Sequence, residues 1–402
     1  MNTSLENAAN WLRDQHHTML EQLVALAEMN SHSENVPGLQ RVAESLRKMF
    51  EPLDVPCRIQ ELLPRQIVSD SGDVSEKATG PALLWHQRAQ QATRVLLAIH
   101  YDTVYPVDHP FQKCDWLDEH RLRGPGVADA KGGIIVMLWA LLAAEKFALL
   151  PKLGWSVVLN PDEEIGSPCS WSLWRTIASA YRYGLLMEPS LPDGALVNQR
   201  KGSGSFTVVM RGRAAHSGRN FREGRNAVAK LAEMALEIHR WNDGQSGIIV
   251  NVGKFVGGQA ANVVPDVATL RINIRIDDFS QQEQILFRLN RLVETYNSHE
   301  GFRCSLTGCF HAPPKLVCPK TQWLMSQIEV AAAQQGRSVR FAATGGASDG
   351  NKLAAVGLPN IDTLGPAGDR LHSPDEWMDS KSLVENSERL LRLLVLLQDS
   401  AE

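Results

Sequence analysis

No stretch of this sequence stays apolar long enough to cross a membrane: the longest run, Ile134 to Ala144, falls well short of the roughly 20 residues a spanning helix needs. No CxxC pair occurs. The six cysteines (Cys57, Cys114, Cys169, Cys304, Cys309 and Cys318) lie at irregular spacings, which argues against a disulfide framework and for free thiols in a reducing compartment. Basic residues are not in excess: the formal net charge is -4 with lysine and arginine scattered, so the stripe of a nucleic-acid surface is missing. The N-terminus, MNTSLENAANWLRDQHHTML, lacks the basic-then-apolar order of a secretory signal. Internal repeats and low-complexity tracts are absent too. The expectation is a cytoplasmic protein with neither membrane nor nucleic acid as partner.

What is present is ordinary globular material: 402 residues, 44% apolar and 21% charged, enough for two or three domains. Leu23 to Phe50 has helical spacing, Arg94 to Ile99 (RVLLAI) is a short apolar strand, and Ser69 to Gly80 reads as a polar surface loop. Gly132 to Ala148 reads as a buried helix, with strands at Trp155 to Leu159 and Gly184 to Met187. Short apolar strands separated by helices predict an α/β class, a mostly parallel sheet covered on both faces. From about Lys201 the order becomes β-α-β-β-α-β, that of a ferredoxin-like α+β sandwich, and after Pro313-Pro314 the helix and strand alternation returns. The simplest division is one catalytic domain made of residues 1–201 and 312–402, interrupted by a sandwich over residues 202–311.

Histidines and carboxylates recur at the ends of the outer domain's strands. His100 and Asp102 follow RVLLAI, Asp129 precedes a helix, Glu163 and Glu164 stand in NPDEEIGS after WSVVL, Glu188 follows GLLM, and His372 lies in LHSPDEW. In an open α/β sheet the crevice beyond the carboxyl ends of the strands is where ligands bind. Singly, each has a plainer reading: Asp129 as a helix cap, Asp102 and Asp162 as turn residues. Together, two imidazoles and three carboxylates without a thiolate suit two divalent ions sharing one carboxylate, zinc foremost, with cobalt or manganese as alternatives. The glycine-rich TGGASDGN lacks the Lys-Ser/Thr ending of a phosphate loop and reads as a tight loop beside a ligand, touched at Gly346. No GxSxG elbow appears, which leaves a serine hydrolase without support.

The motifs IHYDTV, GPGVADAKGG, PDEEIGS, MEPS, AAHSG, NVVPD, GGASDGN and LHSPDEW occur in the order found in the zinc peptidase superfamily of glutamate carboxypeptidase, aminoacylase, acetylornithine deacetylase and succinyl-diaminopimelate desuccinylase. The chain resembles that superfamily over nearly its whole length, in the style of the glutamate carboxypeptidase branch. The resemblance implies that Asp129 bridges two metals, that His100 and Glu188 complete one site, and that Glu164 and His372 complete the other. It implies Asp102 as the residue orienting His100 and Glu163 as general base, with Asp162 structural. It also implies that the inserted domain is a lid and homodimer interface, that His216 acts across that interface, and that Asn262 and Arg275 hold a substrate carboxylate.

Arg275 has independent support. In LRINIRI, the residues Leu270, Ile272, Ile274 and Ile276 face one way and Arg271, Asn273 and Arg275 the other; a solvated sheet face is the competing reading. One departure is Ala130, where a larger residue commonly follows the bridging aspartate. The implied activity is dinuclear metal-dependent hydrolysis of an amide next to a free carboxylate, in an N-acyl amino acid or short peptide. The alternatives are an N-deacylase of the desuccinylase or deacetylase type, or a non-catalytic metal or ligand carrier. The presence of Glu163 speaks against the carrier, since metal binding alone needs no base.

Overall fold

The computed structural model describes residues 3–242 and 244–398. Its larger sheet has six strands in the spatial order Cys57–Gln60, Ala82–Gln87, Leu153–Asn160, Thr93–His100, Tyr183–Leu186 and Asn360–Ile361. The last four run parallel, and the first two are antiparallel additions at one edge. Alternation in the central strand shows why a nearly continuous apolar run suits it: Val95, Leu97 and Ile99 enter the core on one face, Leu96 and Ala98 that on the other. Each of these valine, leucine and isoleucine side chains contributes about 1.5–3 kcal/mol on burial. The helix Lys131–Lys146, apolar on almost every side, lies buried among the helices Thr3–Asp14, His16–Ala27 and Ser380–Gln398.

The smaller sheet is wholly antiparallel, in the order Ile249–Gly257, Val267–Ile276, Gly202–Arg211 and Arg303–Ala312. The helices Ala227–His239 and Phe279–Asn297 pack on one of its faces, where Leu270, Ile272, Ile274 and Ile276 join a core of their own. The sequence of elements is the β-α-β-β-α-β of the sandwich. Where the chain passes into this unit and back, its two crossings lie side by side: Arg200 N–H donates to Lys315 O and Lys315 N–H to Arg200 O, both over 3.0 Å. Their buried side chains converge on one carboxylate, with Arg200 Nε 2.8 Å and Lys315 Nζ 2.9 Å from Asp362 Oδ2.

Two local expectations need correction. Leu23 to Phe50 is not one helix: Asn35 caps a new one, its side chain accepting the Gly38 N–H over 3.1 Å, so that His16–Ala27 and Val36–Met49 are separate. Ser69 to Gly80 is not simply a surface loop either. Arg65–Val68 and Val74–Lys77 pair as a hairpin whose strands are too short and polar to show a strand pattern. Glu34 holds its base, 2.7 Å from Arg65 Nη2 and 2.8 Å from Lys77 Nζ. Its tip reaches the smaller sheet, where Asp70 lies 2.7 Å from Lys254 Nζ and 2.8 Å from Arg271 Nη2. Among the described residues, no helix is long and apolar enough to cross a membrane.

Candidate metal centre

The sheet delivers the strand-end residues to one place. His100 ends its strand, Glu188 stands just past Tyr183–Leu186, and the strand Leu153–Asn160 is followed by the tight turn Glu163–Ile165 that carries Glu164. Gly166 closes that turn at φ +90°, and a side chain there would meet the ring of His311 at 2.9 Å, so glycine serves both the backbone and the close approach. Asp129 precedes the helix Lys131–Lys146, and His372 hangs from the loop leading to Trp377–Asp379.

Two donor groups result, His100 with Asp129 and Glu188, and Asp129 with Glu164 and His372; within each, the donor atoms lie within 4.8 Å of one another. Asp129 belongs to both and presents a different oxygen to each: Oδ1 is 3.1 Å from His100 Nε2 and Oδ2 is 3.4 Å from His372 Nε2. The outer carboxylates close the groups, Glu188 Oε2 at 3.6 Å from His100 Nε2 and Glu164 Oε2 at 3.1 Å from His372 Nε2. All donors are nitrogen or carboxylate oxygen, the set that divalent zinc, cobalt or manganese accepts.

The electrostatics say that cations belong here. Burial, followed by neighbouring carboxylates, raises the pKa of Glu163 and Glu188 above the ordinary range and that of Glu164 to about 8. Hydrogen bonds to Asp129 and Glu164 lift His372 to about 11. Burial opposes the His100 cation, yet Glu188, Asp102 and Asp129 raise it well above the usual imidazole value. A cavity that strains to hold protons in this way would release them to bound metal, because the ligating forms are deprotonated.

Surrounding groups fix the donors. His100 Nδ1 lies 3.1 Å from the Asp102 carbonyl oxygen and 3.3 Å from its Oδ1, while Ser33 Oγ donates to Asp102 Oδ2 over 2.6 Å. Asp162 is buried and turns away from the donors, accepting the Cys169 N–H over 2.7 Å and the Ser170 N–H over 3.1 Å. Burial raises its pKa to about 6. Glu376 was not singled out from the sequence, although LHSPDEW contains it. Its carboxylate accepts N–H bonds from Gly126 (3.2 Å), Ala128 (3.0 Å) and Asp129 (3.1 Å) and the Tyr105 hydroxyl (2.7 Å), and so holds the loop that presents Asp129. Only the fold reveals this, because its partners lie some 250 residues away in sequence.

Asp129, Glu163, Glu164, Glu188, His372 and Gly346 line one cavity of about 280 Å³. Glu163 belongs to neither donor group. His216 and Asn262 lie elsewhere, exposed on the smaller domain and joined by the Ser217 N–H to Asn262 O bond of 3.0 Å. Arg275 is half-buried; its Nε donates to Asn273 Oδ1 over 3.0 Å, and its buried Nη1 has no partner among the described residues. In a single chain, then, these three are not brought to the cavity wall.

An α/β sheet with paired His and carboxylate donors at its strand ends defines a metal-binding hydrolase fold. The match to known proteins is specific: residues 96–396 fit the model of peptidase family M20/M25/M40, and the chain belongs to that family. It is 33% identical over 204 residues to a probable carboxypeptidase of Aspergillus terreus, covering 47% of this chain and 46% of that protein. It thus spans about half the length of the fungal relatives of this kind. With carboxypeptidase G2 of Pseudomonas sp. it is 26% identical over 325 residues, 75% of this chain and 73% of the relative. In fold it resembles the di-peptidase Dug1p of Saccharomyces cerevisiae, with a TM-score of 0.77, 14% identity and full coverage of both chains.

Proposed function

We propose that this protein is a dinuclear metal-dependent hydrolase that cleaves an amide next to a free carboxylate, in an N-acyl amino acid or short peptide. The observation that carries this reading is the division of labour around Asp129: its two oxygens face two His and carboxylate pairs, while Glu163 shares the cavity and ligates neither. His100, Asp129 and Glu188 would hold one ion and Asp129, Glu164 and His372 the other, zinc being the best match to the donor set. Divalent ions so held supply Lewis acidity, lowering the pKa of water and polarising an amide carbonyl. Glu163 accepts the proton of the attacking water and returns it to the leaving nitrogen. Asp102 orients His100. Arg275, whose Nη1 has no partner among the described residues, is the group to receive the substrate's carboxylate together with Asn262, once the smaller domain closes on the cavity.

The same reading makes the protein a cytoplasmic homodimer in which His216 of one chain completes the partner chain's cavity. Exposure supports a partner face on this domain: Val263, which pairs with His216, is 43% exposed and Leu236 is 60% exposed. The test is Glu163→Gln. Two metal ions per chain should remain by elemental analysis, while turnover of a screened N-acyl amino acid or dipeptide falls about 10²–10⁴-fold. An active variant would remove Glu163 from the role of base. A best substrate that is a succinylated or acetylated amino acid, taken in preference to every peptide, would favour the N-deacylase reading.

A further inference from the structure

The charges lining the cavity are almost all engaged by the protein itself. Asp129, Glu164 and Glu188 face His100 and His372, and Glu163 is taken by proton transfer. Arg200 also reaches the wall, but Nε and Nη2 bond to Asp362 over 2.8 and 3.2 Å, and Nη1 donates to Gly346 O over 3.2 Å. Asp369 differs. It lines the same cavity at its exposed rim, beside Leu191, Pro192 and Leu371, and its carboxylate makes no hydrogen bond or ion pair among the described residues. Arg370, next to it, is not part of the wall.

An unengaged carboxylate at the mouth selects by charge. A substrate whose scissile carbonyl lies at Asp129 and whose acyl portion extends toward the rim carries that portion past Asp369, which lines the same cavity. An anionic acyl group there would meet a like charge, and a cationic one would find its counter-ion.

Resting on the hydrolase reading above, we propose that Asp369 is a specificity-determining residue that receives the free α-ammonium group of the substrate, so that the protein prefers unblocked dipeptides to N-acyl amino acids with neutral or anionic acyl groups. Leu191, Pro192 and Leu371 line the same cavity and offer apolar surface to a small side chain. The discrimination is electrostatic. It weakens with salt, and it fades above about pH 8, where a peptide's α-amine loses its proton.

The test uses three ligands on the metal-loaded protein: alanyl-alanine, propionyl-alanine, which differs only in lacking the ammonium group, and succinyl-alanine. kcat/KM should fall in that order. In Asp369→Asn the ratio of alanyl-alanine to propionyl-alanine should fall about two- to fivefold, the scale of an exposed ion pair, and succinyl-alanine should gain relative to both. The wild-type ratio should shrink at high ionic strength. A ratio that Asp369→Asn leaves unchanged, or a wild type that prefers succinyl-alanine, overturns the assignment. Calorimetric binding of the same ligands to Glu163→Gln gives a readout independent of turnover. If no ligand is cleaved, the hydrolase reading fails, and the binding preference still decides the role of Asp369.

Discussion

The carboxylate of Asp102 accepts the backbone N–H of Glu163, Oδ1 lying 3.1 Å away, and its other oxygen accepts the N–H of Glu164 over 3.2 Å. The residue beside His100 therefore also holds the turn that aims both glutamates. Asp102→Ala should lose both functions at once, lowering metal affinity by about 10–100-fold and turnover with it. Titration calorimetry with zinc checks this. Unchanged affinity would mean that the turn holds itself.

Asp362 is the only carboxylate bonded to both Arg200 and Lys315 among the described residues, and all three are buried. Asp362→Asn should destabilise the fold by about 3–5 kcal/mol, because two buried cations lose their counter-charge. Lys315→Met should cost less, since Arg200 still pairs with the carboxylate. Urea unfolding of the two variants compares them directly, and equal losses would contradict the pairing scheme.

His311 packs its ring against Gly166, and burial, reinforced by Lys352 and Arg275, lowers its pKa to about 3. The unfolded chain binds this proton near pH 6.5 and the folded chain does not, so its contribution to stability is present above about 6.5 and is lost progressively as pH falls toward 3. Between pH 7 and pH 5 the loss attributable to this group is about 2 kcal/mol. Melts of His311→Gln over that range should show a slope shallower than wild type by this amount. Parallel curves would mean that the imidazole takes up its proton in the folded state.

The proposed sharing of the cavity between chains makes a symmetrical prediction. Glu163→Ala and His216→Ala homodimers should each be nearly inactive, the second through loss of a group able to stabilise the oxyanion. In a mixed dimer one cavity has both residues and the other neither. Random reassociation, giving about half mixed dimers, should restore about a quarter of wild-type activity. Co-expression with two tags isolates the mixed species, and no gain over the parents would confine His216 to its own chain.

How much of this was legible in the sequence depended on whether the partners were local. Four of the five residues in the two donor groups could be found because they lie just after an apolar strand or before a buried helix, and parallel strands bring such positions together; His372, on a loop, was legible only through its motif. Alternation in LRINIRI correctly separated buried Leu270 and Ile274 from Arg271 and Arg275. Glu376 and Lys315 could not be found that way, because their roles come from hydrogen bonds to the distant Asp129 loop and to Asp362. The two antiparallel strands Cys57–Gln60 and Ala82–Gln87 were likewise missed. The first is too short and polar for its period to show, and the second is a brief apolar run before His86.

The side-by-side crossings at Arg200 and Lys315 have a mechanical consequence. Two strands of chain stapled by reciprocal hydrogen bonds and anchored on one buried carboxylate fix the place where the inserted unit joins the larger one. The hairpin tip makes a second, separate tie between the two units, through the pairs of Asp70 with Lys254 and Arg271. The two ties differ in character: the exposed ion pairs at the tip are each worth no more than about 1 kcal/mol and are weakened by salt, while those at the crossings are buried and shielded from it.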